Sequence, residues 1–287
     1  MLIVVGFVGW QFFLSSRTAR FGNEERYNFV LVQNSPIFVS LDRRTNSAVL
    51  VYLSGNLYVP TAEGYGNYRL KSVYDLGVLD KKDGRVLEET VEDFLGVPVA
   101  GYLKLPVPVR SVGDISFLGN LAKIKEIKTD LSLTDLGKIS SVWLSVPKDK
   151  LKFLSLSEMG VLSDLVLADG TVAQSADSDK LDYLLSGDFE ESDLRNEDLK
   201  TEVLNAGDTS GLGAAAARIL NNIGIRVVSV ANEDLPTKGC EVRADDKLLS
   251  SKTVTRIAGA FGCAVLPKTA GGRADVTLIL RYLHPGG

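Results

Sequence analysis

Between Tyr27 and Leu53 the apolar residues come in short runs broken by turn residues: FVLVQ, then IFVSLD, then AVLVYL. Runs of this length, rich in β-branched and aromatic side chains, predict three strands, with Arg43 to Ser47 as a hairpin turn. The period changes at Val86. Leu87, Val91, Phe94 and Leu95 recur at helical spacing until Gly96, and VPVAGYLKL then reads as a strand. LPVPVR, with prolines flanking its apolar residues, suits an edge or linker strand, and ISFLGNLAKIKEI has a helix-like pattern. LTDLGKISSVWLSVPKDKLKFLSL predicts a helix, a turn at Pro147 and a strand, with Trp143 and Phe153 as core residues.

The clearest pattern lies in Val203 to Asn232, which reads strand, turn, helix, strand. Leu212, Ala215, Ala216, Ile219, Leu220 and Ile223 form one apolar stripe at helical spacing. Asp208, Thr209 and Ser210 precede it, with side-chain oxygens placed to accept from its first N–H groups, and Gly224 ends it. Ile225 to Val230 is mostly β-branched and predicts a buried strand. Asn205, Asp208, Ser210 and Gly211 make the strand-to-helix turn the binding candidate of this region. Further on, Cys240 to Ala244 reads as a strand, and Ser250 or Ser251 caps a helix with Val254, Ile257, Ala258 and Phe261 on its apolar face. Gly262 stops that helix, and strands follow at Cys263 to Leu266 and Asp275 to Tyr282. The order is βαββαβ with an added strand, a split βαβ layout resembling a ferredoxin-like sandwich.

SGLGAAA nearly matches a dinucleotide fingerprint, with Glu233 ~20 residues on. The match is poor because Ala206 to Ser210 separate the strand from the first glycine, whereas the fingerprint's glycine makes the turn itself. The second strand also leads into a hairpin, and the unit is too small for a doubly wound sheet.

Met1 to Leu14, MLIVVGFVGWQFFL, carries no charge. It is shorter than the ~20 residues a helix needs to cross a bilayer. Three readings fit: a membrane anchor lacking its start, a signal-peptide core lacking its basic region, or a buried edge element. Arg17 and Arg20 after the stretch would by themselves place this flank in the cytoplasm. Gln174 to Lys200 is rich in Asp, Glu and Ser and reads as an acidic connector. The expected organisation is therefore an anchor or signal segment at 1–26, an α/β domain at 27–173, a linker at 174–198 and a second domain at 199–287.

At 287 residues and a net charge of -4, the chain is large enough for two domains and lacks the basic surplus of a non-specific nucleic-acid binder. Its one histidine, His284 in the tail, removes His-based triads and His-rich zinc sites from consideration. Cys240 opens a strand and Cys263 follows the next helix, so both lie at one end of the second domain. A disulfide is sterically reasonable there, and two buried free thiols are the alternative.

VLNAG, SGLG with its Ala-rich helix, GIRVVSVAN and ADVTLIL resemble the C-terminal domain of LytR-CpsA-Psr (LCP) proteins of bacterial cell envelopes. IFVSLDRRTNSAVLVYLSGNLYVP, YRLKSVYDLG and VLEETVEDFLGVPVAGYLKL resemble the catalytic domain of the same family. The resemblance implies extracytoplasmic domains on a membrane anchor. It also implies transfer of a glycopolymer from a polyprenyl pyrophosphate, with arginines on the phosphates and aspartates on magnesium. The family's arginine-aspartate loop falls on Gly55 and Asn56, and its arginine-x-aspartate falls near Val32, Gln33 and Asn34, so both acidic ligands and both arginines are replaced. Arg69 matches a basic position, with Lys71 close by.

The expectation is an α/β (α+β) protein of the cell envelope that binds, through its C-terminal domain, a cell-wall glycopolymer or an envelope protein without catalysis, holds no cofactor or metal, and avoids nucleic acid. A divergent phosphotransferase using Arg69, Lys71, Asp75 and magnesium is the enzymatic alternative, and a cytosolic α/β binding module the third.

Overall fold

The computed structural model describes residues 19–22, 24–106, 108–109, 126–233, 239–268 and 274–284. The chain divides into two compact units, residues 1–94 with 99–181 and residues 95–98 with 182–287. Met1 to Leu14 lies outside the described residues, as does most of ISFLGNLAKIKEI. Among the described residues no helix is long and apolar enough to cross a membrane.

The first unit is built on a six-stranded sheet. Its elements in chain order are β1 (Arg26–Leu31), β2 (Ile37–Asp42), β3 (Ser47–Tyr52), the small hairpin β4 (Tyr58–Thr61) and β5 (Gly66–Arg69), α1 (Leu70–Leu79), α2 (Arg85–Leu95), β6 (Tyr102–Lys104), β7 (Lys128–Thr129), α3 (Leu133–Ser145), β8 (Leu151–Ser155), and the hairpin β9 (Leu162–Val166) and β10 (Val172–Ala176). The sheet order is β7-β6-β1-β2-β3-β8. β1 to β3 form the antiparallel meander that the three apolar runs predict, and every residue of β1 and β2 is buried. Burial on both faces explains why these runs do not alternate with polar residues. β6 joins β1 in parallel and β8 joins β3 in parallel, so β1, β3, β6 and β8 all point one way.

The core around this sheet contains Phe21, Phe29, Leu31, Leu41, Leu50 and Ile139, with Trp143 of α3 packed partly buried against it. Phe153 departs from expectation: it is 42% exposed because β8 is an edge strand. LPVPVR is also not a strand among its described residues, since prolines 106 and 108 remove the N–H groups a ladder needs.

Residues 174–198 carry the end of β10 and two helices, α4 (Ser178–Leu185) and α5 (Ser192–Glu197). Their apolar residues Leu181, Leu185, Phe189 and Leu194 are all buried.

The second unit continues with β11 (Thr201–Asn205), α6 (Leu212–Asn222), β12 (Val227–Asn232), β13 (Glu241–Ala244), α7 (Lys252–Phe261), β14 (Ala264–Pro267) and β15 (Val276–Leu280). The element order agrees with the expected βαββαβ plus one strand, but the sheet order is β12-β11-β15-β13-β14. Each βαβ pair is directly hydrogen-bonded in parallel, β11 with β12 and β13 with β14. In a split layout the third strand would separate the first pair; here β15 enters between the two pairs and leaves each intact.

Two local expectations change. β12 is the sheet's edge, with Val228 and Val230 nearly half exposed, so it is not a buried strand. The cap of α6 is Gly211 itself, at φ 81°, with no side-chain cap bond. That left-handed turn places Asp208, Thr209 and Ser210 ahead of the helix, exposed to solvent. By contrast Ser251 caps α7 as expected, its Oγ accepting from Val254 N at 3.2 Å, and Gly262 closes that helix at φ 65°.

Candidate functional site

Ligands of open α/β sheets collect at the carboxyl ends of parallel strands, where the connecting loops diverge. In the first unit those ends are Leu31, Tyr52, Lys104 and Ser155. A cavity of about 380 Å³ opens there, lined by Val32 to Ser35 after β1 and by Lys104, Leu105, Pro108 and Val109 after β6. Gln33 fixes one wall: its Oε1 accepts from Val109 N at 3.1 Å and its Nε2 donates to Ser35 O at 3.0 Å. Lys104 brings the charge. Its Nζ stands 4.0 Å from the ring centroid of Tyr74, a cation–π contact. Tyr74 is buried, which raises its hydroxyl pKa, and its Oη has no hydrogen-bond partner among the described residues.

The loop after β3 meets this cavity through Asn34. Gly55 lies so close that a Cβ on it would be 2.0 Å from Asn34 O and 3.3 Å from Lys71 Cβ. Lys71 N donates to Gly55 O at 3.1 Å, and Lys71 Nζ donates to Asn56 Oδ1 at 3.2 Å. Asn56 O in turn accepts from Gln174 N at 3.0 Å. The structure thus brings Asn34, Gly55, Asn56 and Lys71 together, although they are spread over 38 positions of sequence (71 − 34 + 1). The only sequence signal for this was the likeness of the two loops, Gln33 included, to a known pattern; Lys104 and Gln174 gave none.

Arg69 does not join them. Its Nη2 donates to Thr171 Oγ1 at 2.7 Å and to Val172 O at 3.2 Å, which ties it to the β9–β10 hairpin. Hydrogen bonds from Thr171, with the nearby Arg69 charge, hold the Asp169 carboxyl below the usual range. Asp75 is exposed on α1, one turn beyond Lys71. The residues at the cleft do not fit a magnesium ion. Asn34 and Asn56 offer neutral amides where the ion needs anionic oxygens, and the Asn56 oxygen already receives the Lys71 ammonium.

A second cluster lies away from the cleft. Arg20 Nη1 stands 3.2 Å from Glu88 Oε2 and 2.6 Å from Asp130 Oδ2. Burial pushes the Glu88 carboxyl well above the usual range, and the adjacent Asp130 adds to the rise.

In the second unit Asn205 organises the turn before α6. Its Oδ1 accepts from Gly207 N at 3.0 Å, and its Nδ2 donates to Thr209 O at 3.0 Å and to Asn232 Oδ1 at 3.1 Å. Its side-chain groups are therefore engaged internally, while Asp208, Ser210 and Gly211 face solvent. Cys240 and Cys263 form a disulfide with Cα atoms 4.5 Å apart. It joins the start of β13 to the loop after α7. His284, expected to be solvent-exposed beside Pro285 and two glycines, is half-buried.

The family model described as LytR cell envelope-related transcriptional attenuator matches residues 198–281. Among solved structures the chain is similar to B. subtilis TagV, at 12% identity and a TM-score of 0.43, covering 57% of this chain and 95% of that one. It is similar to B. subtilis TagT at 14% and 0.42, covering 57% and 90%. It is also similar to the transcriptional regulator EF0465 from Enterococcus faecalis at 12% and 0.44, covering 70% and 89%. At such TM-scores the likeness assigns no function. No curated protein matches the chain. The family match falls on the stretch whose motifs resemble the LCP C-terminal domain.

Proposed function

We propose that the protein is a non-catalytic, membrane-attached extracytoplasmic component of the cell envelope that binds an anionic cell-wall glycopolymer in the carboxyl-end cleft of its first domain. One observation carries this reading: Gly55 is packed against the Asn34 carbonyl and Lys71 Cβ, between Ser54 and Asn56 in a loop that carries no charged side chain. Any side chain at 55 collides with backbone, so an arginine clamp cannot stand there. What remains is a mouth carrying Lys71 and Lys104 beside Gln33, Asn34 and Asn56. Lysines suit scattered phosphates or carboxylates, and amides suit sugar hydroxyls, which both donate and accept. The description of the LytR_C family as cell envelope-related supports the location.

The test is calorimetry on the full chain with two ligands, soluble anionic wall-glycopolymer fragments and a polyprenyl pyrophosphate, each with and without magnesium. Binding of the fragments independent of magnesium, weakened at least about tenfold in K71A/K104A (about 1.4 kcal/mol), is the expected result. Magnesium-dependent binding of the pyrophosphate, or its turnover, would overturn the proposal in favour of a phosphotransferase.

A further inference from the structure

The first domain has two poles, and the chain enters it at the pole opposite the cleft. The cleft surrounds the carboxyl ends of β1, β3, β6 and β8. At the amino ends of those strands, Arg20 N and Phe21 N donate to the Asp135 carboxylate at 3.1 and 3.0 Å. Arg20 Nη1 also reaches Ala100 O, just before β6, at 3.1 Å. Phe21 is buried and packs at a tilt against Tyr27 near the start of β1, with ring centroids 4.7 Å apart. The apolar stretch ends at Leu14, and the five residues from 15 to 19 connect it to this fixed point. At ~3.5 Å per residue, the pole stands no farther than ~20 Å from whatever that stretch enters.

The same pole is basic. Arg43 and Arg44 lie exposed in the turn leading into β3, Lys148 and Lys150 lie exposed in the segment leading into β8, and Lys152 lies exposed at the start of β8. Lys150 Nζ donates to Thr45 O at 2.9 Å, which joins the two segments into one patch. The acids beside it are mostly withdrawn: Asp42 is buried against Arg26, and Glu25 is buried against Arg44. Asp149 is the exposed acid within these segments.

We propose that this amino-end pole is a docking surface for an anionic lipid bilayer. The apolar stretch holds the domain within reach of the surface, and the cations then select its orientation, since the headgroup field decays within about one Debye length of ~8–10 Å. A domain tethered at that pole turns its basic patch to the headgroups, and the cleft opens away from the membrane, toward the wall. The inference rests on the reading of Met1 to Leu14 as membrane-attached.

The test uses the full chain with vesicles of phosphatidylcholine alone or mixed with phosphatidylglycerol. A fluorophore is placed on S145C, exposed at the end of α3 beside the patch, or on S72C, exposed on α1 at the cleft pole. The native cysteines are bonded to each other and do not compete for the label. The readouts are flotation with the vesicles and quenching by headgroup nitroxides. The expected result is flotation in both lipids, with strong quenching at 145 and little at 72 in the anionic vesicles. K148E/K150E still floats and loses the quenching at 145. Failure to float overturns both the attachment and the docking surface. Flotation with label 145 unquenched, or quenched equally in K148E/K150E, overturns the docking surface alone. Loss of soluble glycopolymer binding in K148E/K150E, with quenching unchanged, would assign the patch to that polymer and overturn the proposal.

Discussion

The backbone oxygen of Asn34 lies 2.0 Å from where a Cβ on Gly55 would sit. Backbone cannot move aside as a flexible side chain can, so Gly55→Ala should destabilise the first domain by ~1–3 kcal/mol through overpacking. Gly55→Arg should cost more and should not recover pyrophosphate binding. Denaturant unfolding of both variants, with calorimetry on the arginine variant, checks this. An arginine variant that folds normally and binds pyrophosphate would show that the loop has room.

Asp135 is fully buried, and its carboxylate accepts from Arg20 N, Phe21 N, Ser132 N at 3.0 Å and Ser132 Oγ at 2.7 Å. It caps α3 and fastens the incoming chain at once. Replacing it with Ala strands several buried donors at ~1–3 kcal/mol each, so D135A should lose about 3 kcal/mol or more and D135N less. Hydrogen exchange at the amides of Arg20 and Phe21 should accelerate in D135A before the rest of the domain opens. Unchanged protection there would contradict this anchoring role.

Glu88 gives the first domain a pH dependence. Its folded pKa lies well above 4.5, because burial disfavours the carboxylate and Asp130 repels it. Above the ordinary carboxylate pKa, the unfolded chain has released this proton while the folded chain still holds it. The folded state therefore binds more protons, and stability falls as pH rises from about 4.5 toward the folded pKa, by about 1.4 kcal/mol for each unit of pH in that window. Glu88→Gln keeps an uncharged partner for Asp130 at every pH. Its melting temperature should change less between pH 5 and pH 8 than that of the unaltered protein, and parallel curves for the two would refute the assignment.

The Cys240–Cys263 bridge closes a loop of 23 positions. In the chain-entropy model such a loop is worth about 3 kcal/mol. Reduction, or the C240A/C263A pair, should lower the unfolding midpoint of the second domain and leave that of the first in place. Coincident loss of both transitions would show that the two units do not unfold independently.

How much of this was legible beforehand differs between elements. The meander of β1 to β3, α2 and α6 could be read because hydrophobic period and turn residues are local properties: IFVSLD, short, apolar and bounded by turn residues, reads as a strand, and the structure adds that it is buried on both faces. The likeness of the C-terminal segment to a known family was legible in its short motifs, and the family match falls on the same residues. The insertion of β15 between two βαβ pairs was not, because strand order depends on which edges meet and neighbouring sequence does not encode that. Nor was the exposure of β12, whose valines look buried in sequence yet lie at an edge. The likeness of two loops to a known pattern drew attention to Asn34, Gly55 and Asn56. Only the tertiary structure set Gly55 against the Asn34 carbonyl, tied Arg69 to the turn of the β9–β10 hairpin and added Lys104. The sequence determined which segments form strands and helices, through hydrophobic period and turn chemistry. The cleft was decided in three dimensions, where the loops after parallel strands converge from distant parts of the chain and backbone packing settles which side chains have room.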